Sequence, residues 1–105
     1  MKQDVGIPSE HFERIIGIFK KYSRIDEAVL FGSRAKGCFC EGSDIDFSLK
    51  GDGLDFRLLT QIEMDYDALN LPWKLDLLLD AQIENEALKS HIRRVGIVTK
   101  LKQKS

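Results

Sequence analysis

The chain has 105 residues, 43% of them hydrophobic and 31% charged. That balance excludes a disordered tail, and the length suits one domain. Lys and Arg number 16 against 17 Asp and Glu, a formal net charge of −1. A polyanion-coating protein is marked by a basic surplus, so this balance argues against one without excluding a local basic patch.

No apolar stretch approaches the roughly 18 residues that span a bilayer, so no membrane association is expected. The N-terminus carries Asp4 and Glu10 and no apolar segment, so no signal peptide is visible. Cys38 and Cys40 stand one residue apart, and such close neighbours rarely form a disulfide. The expected compartment is the reducing cytoplasm.

No repeat or Pro/Ser-rich linker divides the chain, so residues 1–105 are read as one domain with a core of about 9–99. Residues 1–8 read as a loose leader and Lys100 to Ser105 as a basic, frayed tail. Ser9 is the expected N-cap of a first helix, whose stripe is Phe12, Ile15, Ile16, Phe19 and Tyr22. Glu27 to Phe31 reads as a buried strand ended by Gly32. Ser33 to Lys36 reads as one helical turn stopped by Gly37, followed by a loop over 38–43. Asp44 to Lys50 alternates polar and apolar residues as a second strand, and Gly51 to Gly53 turn the chain. Phe56, Leu59, Ile62, Tyr66 and Leu69 mark a second long helix, ended by Asn70 and Pro72. Lys74 to Leu79 is a third strand, and Leu88, Ile92 and Val95 mark a last helix closed by Gly96. Ile97 to Thr99 either adds an edge strand or frays. The order predicts a small α/β (α+β) sandwich, helices packed on a short mixed sheet.

The chemistry gathers in Gly32-Ser33-Arg34 and Asp44-Ile45-Asp46, with ten residues (34 to 43) between Ser33 and Asp44. Asp44 and Asp46 leave one face of a strand about 6.6 Å apart, at roughly 3.3 Å per residue. Two carboxylates so placed can converge on hard divalent cations, while Ile45 anchors the opposite face. Taken alone, an Asp-x-Asp is more often a pair of surface carboxylates. Gly32 lets the backbone approach a ligand, and Ser33 supplies a hydroxyl at the start of a helical turn, where phosphate is attracted. Taken alone, this is an ordinary turn with Ser33 as N-cap. Arg34 either faces a triphosphate or braces the loop by bonding a carboxylate. Lys36 reads as a solvated side chain. Asp76 lies in Lys74-Leu75-Asp76-Leu77-Leu78-Leu79, where a buried Asp is costly unless paired or metal-bound. Its bland reading is an edge-strand residue facing water. Asp80 is a fallback, read first as a cap.

The joined pattern, Gly-Ser, ten residues, Asp-x-Asp, resembles the nucleotidyltransferase superfamily that shares its palm-like fold with DNA polymerase beta. Within it the chain is similar to the minimal nucleotidyltransferases, over roughly residues 10–96. The resemblance implies a third acidic residue on the strand beside Asp-x-Asp, which Asp76 matches. It implies catalytic and metal-binding roles for Asp44, Asp46 and Asp76, and nucleotide binding by Gly32, Ser33 and Arg34. It implies two Mg²⁺ ions, ATP as substrate, and transfer of a nucleoside monophosphate to a hydroxyl with loss of pyrophosphate. Asp76 takes the hydroxyl proton or only holds an ion. The resemblance further implies a small helical HEPN protein as partner, with this chain as an antitoxin that adenylylates a tyrosine of that toxin.

Few residues follow the last helix, so the acceptor surface is expected from elsewhere. Two other readings stay open: a non-catalytic, stoichiometric partner of a helical HEPN protein, and a transferase acting on a small molecule such as an aminoglycoside. A homo-oligomer is open, and nucleic acid is not expected as a partner. Cys38 and Cys40 lack the second pair that a zinc site needs. His11 and His91 read as ordinary helix positions, and Trp73 as a packed connection or a partner anchor.

Overall fold

The computed structural model describes residues 5–37 and 42–101. The two cysteines and the end of the basic tail lie outside them. Among the described residues, four helices and four strands follow in chain order: α1 (Ser9–Lys20), β1 (Ile25–Phe31), α2 (Gly32–Lys36), β2 (Ile45–Gly51), α3 (Phe56–Asp67), β3 (Leu75–Leu79), α4 (Glu86–Val95) and β4 (Ile97–Lys100). A single 3-10 turn, Asp80–Gln82, joins β3 to α4.

The strands form one mixed sheet in the order β3-β2-β1-β4. β1 pairs antiparallel with both β2 and β4, while β2 and β3 run parallel. The parallel pair is joined through α3, since parallel neighbours need a crossover. Ile97–Lys100 is thus an edge strand and does not fray. Its pairing with Glu27 to Leu30 holds it.

Strand alternation divides the sheet into two faces. Ala28, Leu30, Ile45, Phe47, Leu49, Leu75 and Leu79 meet Ile15, Phe19, Leu59 and Ile62 of α1 and α3. This is the main core, and Phe19 packs edge-on against Phe47 with centroids 5.0 Å apart. Val29 and Phe31 point the other way and meet Ile83 and Ile92, with Leu78 and Leu88 beside them, under α4. The helix stripes read from the sequence therefore turn inward, except at Phe56, which opens α3 and stays 68% exposed.

The helix starts differ. Pro8, with ψ 141°, is the N-cap of α1, and Ser9 is already helical with no side-chain cap. A proline's fixed φ and missing N–H suit a helix entrance, so the serine is displaced one position inward. Asp55 and Asn85 do cap, accepting from the N–H of Leu58 and Leu88 at 2.9 and 3.1 Å. Asp80 makes no side-chain cap for the turn it opens, contrary to expectation.

Candidate active site

The site lies where β1 ends and β2 and β3 begin. Phe31 pairs with Asp46 across the antiparallel ladder, and Asp46 pairs with Asp76 across the parallel one. Directly opposed residues on neighbouring strands share a face, so both carboxylates leave the sheet on the α4 side. Asp44 precedes β2 with the same parity as Asp46. The structure thus brings Asp46 and Asp76 side by side and sets Asp44 in the same acidic group.

Asp46 is half-buried, while Asp44 and Asp76 are exposed. The buried setting expected for Asp76 is corrected here. β3 is the sheet edge, and Asp76 faces away from the main core, so it stays wet. Burial, then the charges of Asp76 and Asp44, push the Asp46 carboxyl up to about 6, against an opposing pull from Arg34. Like charges this close resist joint ionisation, and a cation between them would relieve that.

Gly32 turns the chain beside these carboxylates with φ +78°. A Cβ at this position would lie 2.5 Å from Asp46 Oδ2. Both the left-handed backbone and the close approach therefore require glycine. Ser33 and Arg34 follow in α2, which Gly37 ends in the left-handed conformation.

Arg34 is only 1% exposed. Its Nε and Nη2 donate to Ser43 O at 3.1 and 2.8 Å, and Nη1 donates to Val5 O at 2.8 Å. Its Cζ sits 5.6 Å from the centroid of the Trp73 ring. The side chain braces the segment that leads into Asp44, and it does so through carbonyl oxygens. Trp73 is half-buried against this guanidinium and against His11, so its packed reading holds. Lys36 is exposed, as expected of a solvated side chain.

Among the described residues, no three His, Cys, Asp or Glu side chains are gathered closely enough to hold a metal by themselves. Magnesium does not need such a cage, because it commonly takes one or two carboxylates and completes its shell with water and substrate phosphates. The paired carboxylates of Asp46 and Asp76, with the charge of Asp44 near enough to act on Asp46, supply hard oxygens of the kind that ion takes.

A model of the polymerase beta nucleotidyltransferase family matches residues 13–105. The chain belongs to this family. A nucleotidyltransferase relative, the probable protein adenylyltransferase MntA of Haemophilus influenzae, is 34% identical over 76 residues, 71% of this chain. The match spans 66% of that relative's length. The fold also superposes on a chain from a crystal structure of a toxin–antitoxin with AMP-PNP, with a TM-score of 0.61 at 20% identity. That superposition covers 88% of this chain and 73% of the other.

One neighbour of the candidate site escaped sequence reasoning. His91 of α4, read as an ordinary helix position, accepts the Gly32 N–H at Nε2, 3.1 Å away. Its ring stands edge-on to Phe31. Only its place on the inner side of the last helix, one residue before buried Ile92, could have suggested a role.

Proposed function

We propose that the protein is an Mg²⁺-dependent adenylyltransferase that moves AMP from ATP to a hydroxyl of a partner protein, a tyrosine of a helical HEPN toxin, and so acts as an antitoxin in the cytoplasm. The observation that carries the reading is the pairing of Asp46 with Asp76 across β2 and β3, with Gly32 packed on Asp46. The family membership, the similarity to a probable protein adenylyltransferase and the fold shared with a toxin–antitoxin chain support it.

Asp44, Asp46 and Asp76 would hold the metal, which when bound neutralises phosphate charge and lowers the pKa of a bound hydroxyl. Gly32 and Ser33 border the triphosphate, and Arg34 keeps the carbonyl of Ser43, and with it Asp44, in place. The acceptor oxygen bonds to the α-phosphorus, the bond to the bridging oxygen breaks, and pyrophosphate leaves. Asp76, exposed at the sheet edge, takes the hydroxyl proton.

The test is intact-mass analysis of the co-expressed complex incubated with ATP and Mg²⁺. The partner should gain adenylate with the wild-type protein and none with Asp44→Asn plus Asp46→Asn. Full protection of cells by that double variant, with no mass gain in the wild type, would instead establish stoichiometric binding.

A further inference from the structure

The Gly32 amide sits where a phosphate cradle would begin, yet its hydrogen is already committed. His91 Nε2 accepts it at 3.1 Å. The ring is held edge-on to Phe31, with centroids 6.3 Å apart. Its neighbour on α4, Ile92, is buried with Val29 and Phe31. On its other side Gly32 touches Asp46, so closely that a Cβ would strike Oδ2. An unbroken line of contacts therefore runs from α4 through His91 and Gly32 to the half-buried carboxylate.

We infer that His91 is a positioning residue: it fixes the Gly32 turn against the Asp46 carboxylate from the far side, and it withdraws the Gly32 N–H from ligand binding. This rests on the reading of the site as a nucleotidyltransferase centre. A loose Gly32 could rotate toward solvent and release the carboxylate from its packed orientation. With the clamp in place, Asp46 meets nucleotide and metal without first having to be ordered, which favours binding.

The conservative substitution gives the decisive contrast. In His91→Gln, the amide oxygen reaches the place of Nε2 and can accept the same N–H. His91→Leu keeps bulk and helix propensity but cannot accept. Binding of ATP with Mg²⁺ is followed by calorimetry, and Gly32 amide exchange by NMR, on folded protein of equal thermal midpoint. The expected result is binding weakened about three- to tenfold in His91→Leu, in keeping with loss of one hydrogen bond, and restored to within about twofold in His91→Gln. The Gly32 amide should be protected in the wild type and His91→Gln and exchange freely in His91→Leu. Equal binding by all three proteins, or a Gln variant as weak as Leu, would overturn the inference. Wild-type protein that takes up no nucleotide would overturn the proposed function itself. Gly32 protection that follows the acceptor at position 91 would still support the clamp in that case.

Discussion

Asp46 carries the site's main conflict. Its carboxyl, raised from 3.8 to about 6, is ionised at neutral pH against burial and two like charges. A native pKa above the unfolded one means that the folded state binds the proton more tightly. The group therefore favours folding below about 3.8, loses that contribution as pH rises through 6, and opposes folding above it. Allowing for its partial exposure, the cost at pH 7 is about 2 kcal/mol. Asp46→Asn should thus stabilise the metal-free protein at pH 7 and change it little at pH 4, as read by urea denaturation in chelator, while abolishing transfer. Gly32→Ala should do the reverse of a stabilising change. Its left-handed backbone costs about 1–2 kcal/mol with a Cβ present, and the displaced carboxylate should lower turnover on the order of a hundredfold. A stability measurement and a single-turnover assay on the same preparation check both effects.

At the scale of elements, the loop before β2 depends on a buried cation. Arg34→Lys keeps the charge but cannot repeat the fork that reaches both Ser43 O and Val5 O. It should destabilise the fold by about 2–3 kcal/mol, since hydrogen bonds to charged groups are the strong ones and the fork is lost. Chemical denaturation measures this directly. The same element shows where sequence patterns stop. The helix stripes, the Asp44-Ile45-Asp46 alternation and the glycine after β1 are local signals, and each element formed where its periodicity placed it. That Asp76 pairs with Asp46 is not a local fact. Twenty-nine residues (47 to 75), α3 among them, lie between the two, and only the family resemblance pointed to their meeting. The partners of Arg34 and the Gly32 bond of His91 likewise exist only once distant segments dock. Ser9 was misplaced because a serine and a proline both suit a helix entrance, and the proline's fixed backbone took the cap.

At the scale of the molecule, the two sheet faces divide the labour. The α1–α3 face holds the main core, while the thinner α4 face carries the carboxylates, Gly32 and His91. The thick side is tied together away from the site, where Tyr22 Oη donates to Asp65 at 2.5 Å and Lys21 Nζ lies 3.3 Å from the same carboxylate. Burial, then this bond, raises the Tyr22 hydroxyl to about 12. Tyr22→Phe should therefore cost about 1 kcal/mol of stability and leave transfer unchanged, a separation that thermal melts and the intact-mass assay can read together. The most direct test of the account follows the phosphorus atoms. The native complex is given Mg²⁺ and ATP labelled either at the α- or at the γ-phosphate. Label from the α-position should become covalently attached to the partner, and label from the γ-position should appear only in pyrophosphate. Attachment of the γ-label, or of neither, would contradict nucleotidyl transfer at Asp44, Asp46 and Asp76.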